Sequence, residues 1–254
     1  MPVEPSIRRT ARAAALVATF ALSTSALAAV APKAPGAPPP DLLLITLDTT
    51  RADALGVYGA ARPTPVLDRL AASGARYLRA LAPTPLTLPS HASLLTGLDP
   101  VEHGVRGNGG DALPVGISTL AERLRAAGWA TEAVVGSRVL DRRFGLDRGF
   151  DGYDDRMVAE RVGEFGEAER DAASVVDAAL AAAGRAVADR PLFLWAHFYD
   201  PHAPYEGAGD DARGRYLAEV ARVDREIGRL LERLAAMRPR PRVVAAVGDH
   251  GEAF

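Results

Sequence analysis

Four short apolar runs punctuate the chain: Leu42–Leu47, Thr131–Val135, Leu192–Ala196 and Val243–Val247. Their hydrophobic residues are continuous rather than alternating, which is the pattern of interior strands buried on both faces. Between them lie amphipathic stretches, Ile117–Ala127, Asp171–Ala183 and Tyr216–Met237. In the last of these Leu217, Val220, Ile227, Leu231 and Leu234 recur at three- and four-residue spacing, which gives one buried helical face. Asp224 falls on that face, and a buried carboxylate needs a partner, so a structural hydrogen bond to a neighbouring loop is expected there. The alternation of strands and helices predicts an α/β domain with a mostly parallel central sheet flanked by helices. Ser137–Gly166, rich in Gly, Asp and Arg, reads as an irregular excursion or lid whose charges are solvated.

Polar residues begin where two of these strands stop. The first run leads into Asp48-Thr49-Thr50-Arg51, and the last into Gly248-Asp249-His250-Gly251-Glu252. In a parallel α/β sheet the carboxyl ends of the strands line one edge, where ligands bind. Asp48, Asp249 and His250 are therefore expected to meet, and two carboxylates with an imidazole suit a divalent cation. A third segment, Thr84–Gly97, places Pro89 in the first turn of a short helix that Gly97 ends. Thr87 then sits at a helix N-terminus, where backbone N–H groups favour an anion and would stabilise an ionised hydroxyl beside a metal. Taken alone, Thr87 reads first as a turn or capping residue.

The ends of the chain shape the picture further. Arg8, Arg9 and Arg12 precede the apolar stretch Ala13–Leu22, and Ala26-Leu27-Ala28 follows as a small-x-small cleavage pattern. Residues 1–28 thus read as a secretory signal peptide, too short in its apolar part for a stable membrane span. An exported protein, periplasmic or extracellular, is expected. Residues 29–40, Pro- and Ala-rich, read as an extended linker, and residues 41–254 as one domain. Residues 1–28 carry three arginines and one glutamate, so without them 27 basic and 31 acidic side chains remain, a net charge of −4. That balance argues against a nucleic-acid partner, and with no cysteine there is no thiolate chemistry. The chain stops seven residues after Val247, so the last βα unit is expected to be C-terminally incomplete.

Leu42–Gly59 (LLLITLDTTRADALGVYG), Thr87–Gly97 (TLPSHASLLTG), Pro100–Val105 (PVEHGV), His197–Tyr205 (HFYDPHAPY), Tyr216–Leu230 and Gly248–Glu252 (GDHGE) occur in this order. Together they resemble the sulfatase family within the alkaline phosphatase superfamily, over essentially all of Asp41–Phe254. The resemblance implies an alkaline phosphatase-like sandwich. It also implies a metal held by Asp48, Asp249 and His250, with Thr87 as nucleophile and further ligand, and His202 contacting the bound ester group. Arg51 and His91 occupy positions that could contact the anionic ester or orient the nucleophile. His103 is expected to be a satisfied structural histidine. One divalent ion, Zn, Mn or Ca, is implied; Asp200 and His202 are the spare groups a second ion would need.

One departure bears on the chemistry. Sulfatases proper carry Cys or Ser at the nucleophile position, followed by x-Pro-Ser-Arg, and convert that residue to formylglycine. Here Thr87 stands there, with His91 in place of the Arg, and the methyl group on the Thr β-carbon blocks that oxidation. The resemblance then implies direct attack by the Thr87 oxygen on a phosphate or sulfate ester, as in relatives that use an unmodified Thr. Charge on the non-bridging oxygens would be met by the metal, His202 and the backbone donors before Ser90. The expected substrate is a small-molecule, glycan-linked or lipid-linked anionic ester. The competing readings are a conventional formylglycine sulfatase and a catalytically inactive, truncated remnant that serves as a binding protein.

Overall fold

The computed structural model describes residues 38–157 and 169–254. The expected signal peptide, most of the linker and the last part of Ser137–Gly166 lie outside the described residues. Five strands form one parallel sheet: β1 (Asp41–Leu47), β2 (Ala130–Val134), β3 (Gly152–Asp154), β4 (Leu192–Phe198) and β5 (Arg242–Gly248), in the order β3-β2-β4-β1-β5. The helices are α1 (Pro65–Ala72), α2 (Thr87–Thr96), α3 (Pro100–His103), α4 (Leu120–Ala126), α5 (Ala172–Arg185) and α6 (Ala212–Met237).

Strand alternation sorts the core into two layers. Leu43, Ile45 and Leu47 of β1 face α5 and α6, with Val175, Val176, Ile227 and Leu230 packed against them. On the other face Phe193 and Trp195 of β4 pack with Leu88, Leu95, Leu140 and Phe150. The Trp195 indole N–H donates to Thr46 Oγ1 at 2.9 Å, so its polar edge is satisfied inside the core. Helix ends follow local chemistry. Thr119 and Glu122 form a reciprocal capping box on α4, and Asp171 and Asp211 cap α5 and α6.

Asp224 accepts from the Val66 and Leu67 N–H groups at 3.1 and 2.9 Å, so α6 caps the start of α1. This is the expected structural bond, made to a helix start. Two expectations change. The described part of Ser137–Gly166 is not a free excursion: β3 pairs with β2, and Leu140, Phe144, Leu146 and Phe150 are buried. Val243–Val247 is also not an interior strand within this chain. Among the described residues β5 pairs only with β1, and Val243 is 54% exposed. No helix among the described residues is long and apolar enough to cross a membrane.

Candidate active site

The carboxyl ends of β1, β4 and β5 converge because the sheet is parallel and in register. Leu47 pairs with both Phe198 and Gly248, so the next residues along, Asp48 and Asp249, emerge side by side. The ladder continues one step past the strands, with Asp48 N–H donating to Phe198 O and Asp249 N–H to Leu47 O. Thr49 then turns with φ 49°, a left-handed conformation that costs a β-branched residue on the order of 1–3 kcal/mol. Three bonds hold it: its N–H donates to Asp249 Oδ1, its Oγ1 to Pro201 O, and its carbonyl accepts from the Tyr216 hydroxyl.

The two buried carboxylates are satisfied on one oxygen each. Asp48 Oδ2 accepts from Thr87 Oγ1 and from His197 Nε2, both at 3.2 Å. Asp249 Oδ1 accepts from the N–H groups of Thr49 and His250, at 3.1 and 2.7 Å. Asp48 Oδ1 and Asp249 Oδ2 have no hydrogen-bond partner although both are buried, and these two oxygens lie 3.8 and 3.6 Å from His250 Nε2. Burial pushes the Asp48 carboxyl up to about 6, against the pull of His202 and His250. Asp249 is raised too, by burial first and then by the Asp48 charge. Two buried acids with inward-facing lone pairs are costly alone and fit a cation.

The backbone sets the histidine tautomers. His250 Nδ1 lies 2.9 Å from Gly251 O; a carbonyl only accepts, so Nδ1 carries the proton and Nε2 offers its lone pair toward the carboxylates. His197 is the reverse case. Its Nδ1 accepts from Gly136 N–H, so Nε2–H donates to Asp48. Asp48, Asp249 and His250 are close enough to hold one ion, and so are His91, His197 and Asp249. The His197 proton rules against the second set. Among the described residues neither set includes Asp200 or His202.

Thr87 is the first residue of α2, with Leu86 as N-cap and Gly97 closing the helix at φ 73°. Its hydroxyl sits 3.2 Å from Asp48 Oδ2 and 3.3 Å from His250 Nε2. His91, one turn on and fully buried, donates from Nδ1 to Thr87 O at 2.8 Å, with Asp249 Oδ2 at 3.7 Å. Desolvation, then His197, lowers its pKa to about 4. A neutral buried ring bonded to the Thr87 backbone has the geometry of an orienting group rather than of an ester contact. The expected backbone donors at this helix start are largely spent. Leu88 N–H goes to Asn108 Oδ1, Ser90 N–H to Leu86 O, and Pro89 has none.

At the rim, Arg51 turns its Nε and Nη2 to Asp53 and its Nη1 to Glu252 O, so its fork is already engaged. His202 stacks on Tyr199 at 4.5 Å and donates from Nδ1 to Ala203 O. His103 accepts from Val105 N–H and donates to Ser93 Oγ, as a structural histidine should. The sequence motifs do not single out His197, Asn108 or Thr49 as site residues. His197 opens the motif His197–Tyr205, and its place near the end of an apolar strand is the signal that points to the site. Asn108 carries none.

The Sulfatase family model matches residues 40–254. N-acetylgalactosamine-6-sulfatase of Canis lupus familiaris is 31% identical over 255 residues, covering 81% of this chain and 49% of that protein. The chain thus spans about half the length of this curated relative. Among solved structures, Ps i-CgsB in complex with k-i-k-neocarrahexaose superposes with TM-score 0.69 at 20% identity, covering 83% of this chain and 58% of that one. A protein in the alkaline phosphatase superfamily from Vibrio parahaemolyticus gives 0.66 at 19% identity, covering 85% and 56%. At these identities the structures speak for the shared fold.

Proposed function

The chain belongs to the sulfatase family, and from that premise we propose that it cleaves a sulfate or phosphate ester with the Thr87 hydroxyl as nucleophile. The observation that carries this is the placement of Thr87 Oγ1 between Asp48 Oδ2 and His250 Nε2, beside two unpartnered carboxylate oxygens. Asp48, Asp249, His250 and Thr87 are the proposed ligands of one divalent cation, and this donor set suits Zn or Mn better than Ca. Such an ion, when bound, supplies polarisation of the ester oxygens and a lower pKa for the neighbouring hydroxyl.

The protein's own groups do the rest. With His250 Nε2 committed as a ligand, Asp48 Oδ2 is the acceptor within reach of the Thr87 proton. Thr87 Oγ1 then bonds to sulfur or phosphorus as the bond to the leaving alcohol oxygen breaks, and that oxygen takes the proton Asp48 received from Thr87. Water next attacks the Thr87 ester, releasing the inorganic anion and restoring the hydroxyl. His91 holds the Thr87 backbone, and His197 aims Asp48. His202 is the proposed contact to the ester group, with Arg51 behind it at the rim. The family relation favours a sulfate ester, and the N-acetylgalactosamine-6-sulfatase relative favours a sulfated sugar. An exported protein fits such a substrate.

A panel of sulfate monoesters, phosphate monoesters and phosphate diesters, assayed with Zn, Mn or Ca, tests the reading. Turnover that needs the metal and leaves the Thr87 peptide at its unmodified mass is expected. A formylglycine mass at that peptide would replace the Thr mechanism with the conventional one.

A further inference from the structure

A cleft outside the site, about 440 Å³, is lined by Arg62, Arg222 and Arg225 together with Gly207, Ala208, Ala218 and Ala221. We infer that it is a second binding subsite, one that takes an anionic group on a sulfated oligosaccharide whose neighbouring ester lies at Thr87. This rests on the sugar-sulfate reading given above.

Charge is the first argument. No carboxylate lines the cleft. Among the described residues Arg62 and Arg222 make no hydrogen bond, Arg222 acting only electrostatically on Glu219 one turn back, and Arg225 donates only to the Ala221 carbonyl of its own helix. By contrast, Arg51, Arg142, Arg156, Arg170, Arg229 and Arg238 are all paired with carboxylates. Three guanidinium groups around one opening, none of them hydrogen-bonded to a carboxylate, match the planar, bidentate recognition of sulfate or carboxylate oxygens.

Shape is the second. The other lining residues are Gly or Ala, so the floor stays open between the arginines. Gly207 is required: a Cβ there would lie 2.3 Å from Arg215 O, so only glycine lets the loop rest on α6. Glu219, 3% exposed, fastens that loop by accepting the Glu206 N–H at 2.7 Å. The cleft wall is therefore a fixed surface of α6 and its loop.

Placement is the third. The loop that forms the wall begins at the proposed ester contact, His202, five residues before Gly207. The α6 residues of the cleft start two positions after Tyr216, whose hydroxyl holds Thr49. From Tyr216 to Arg225 the helix advances about 14 Å, so both sites are served by one loop and one helix. A chain of sugars with repeated anionic groups fits that layout, whereas a small monoester engages only Thr87. The net charge of −2 leaves no general basic face for a nucleic acid.

The test compares the protein with its R62A/R222A/R225A variant. Binding of a sulfated hexasaccharide is measured by calorimetry at two salt concentrations, and turnover of p-nitrophenyl sulfate is measured alongside. Three exposed ionic contacts predict about tenfold weaker hexasaccharide binding and a shallower salt dependence, with small-ester turnover and melting temperature unchanged. Equal hexasaccharide affinity in the two proteins overturns the subsite, as does no binding by the parent. Tighter binding of a single-stranded oligonucleotide than of the hexasaccharide overturns the ligand class. If the variant loses melting temperature, the charge-only comparison R222Q/R225Q replaces it and is read the same way. Weaker hexasaccharide binding in the variant than in a parent that binds it yet turns over no ester would refute the proposed chemistry while leaving the subsite standing.

Discussion

Asp41 and Asp48 stand seven residues apart at the two ends of β1, and both are buried. At the amino end, Asp41 is fully engaged. Its Oδ1 accepts from Leu192 N–H at 2.8 Å, its Oδ2 from Arg238 Nε at 3.0 Å, and Arg240 and Arg242 each approach to 3.8 Å. At the carboxyl end, Asp48 and Asp249 face each other, each with one oxygen unpartnered, and no arginine among the described residues answers them. The first carboxylate closes the fold. The second pair leaves charge unbalanced in a buried place, which is tolerable only if something from outside balances it. Buried acids are thus separated by what remains unsatisfied, and burial alone does not distinguish them.

Four experiments press on that contrast. The largest effect is expected at the open end. Thr87→Ala should cut turnover by roughly a thousandfold or more while metal binding persists, and Thr87→Ser should keep part of the activity. Steady-state rates with isothermal metal titration check this; an active Ala variant would make a bound water the nucleophile. At the closed end, Asp41→Ala strands Arg238 beside two further arginines and should cost about 3–5 kcal/mol of stability, read by denaturant unfolding. Metal affinity should not change there.

The third experiment is pH. The pKa values of Asp48 and Asp249 are raised in the folded state, so the metal-free fold binds extra protons between the ordinary carboxylate range and about pH 6–7. That stabilisation is present at low pH and lost as pH rises through the folded values. These two carboxylates favour pH 5 over pH 8 by about 2–3 kcal/mol. The buried His91 and His197 rings, held down to about 4 and about 3, oppose them by a similar amount. The carboxylate part is therefore read with chelator as the pH 5 advantage that the parent has over its Asp48→Asn/Asp249→Asn variant. Metal affinity should run the other way, because ligation needs the deprotonated acids. A double variant with the same pH dependence as the parent would mean that the two carboxylates are not placed as described. The smallest effect belongs to Asn108→Ala, which leaves Leu88 N–H unmet at the start of α2 and should cost about 1 kcal/mol. A melting temperature unchanged within error would show that water replaces the bond.

Much of this was legible along the chain because it is local. Continuous apolar runs mark β1, β2, β4 and β5, and Asp48, Asp249 and His250 can be singled out since each follows directly on a strand. Asp224 could be assigned a structural bond from its place on the apolar face of α6. The strand β3 could not be found, since Gly152-Tyr153-Asp154 is short, polar at one end and paired through residues twenty positions away. The apolar content of Val243–Val247 speaks of a strand that suits burial on both faces. It carries no information on which neighbours this chain provides, and β5 lies at the edge.

Residue types and their period, then, determined the α/β class, the edge of the sheet where the candidate site lies, and the acids and imidazole that gather there. The tertiary structure alone decided which oxygen of each acid stays open and which nitrogen of each histidine holds its proton. Those choices are made by donors and acceptors distant in sequence: Thr49 N–H on Asp249, 200 residues on; His197 on Asp48, 149 apart; Gly136 N–H on His197, 61 apart. A hydrogen bond depends on position and direction at the scale of tenths of an ångström. Hydrophobic periodicity specifies only which face of an element is buried.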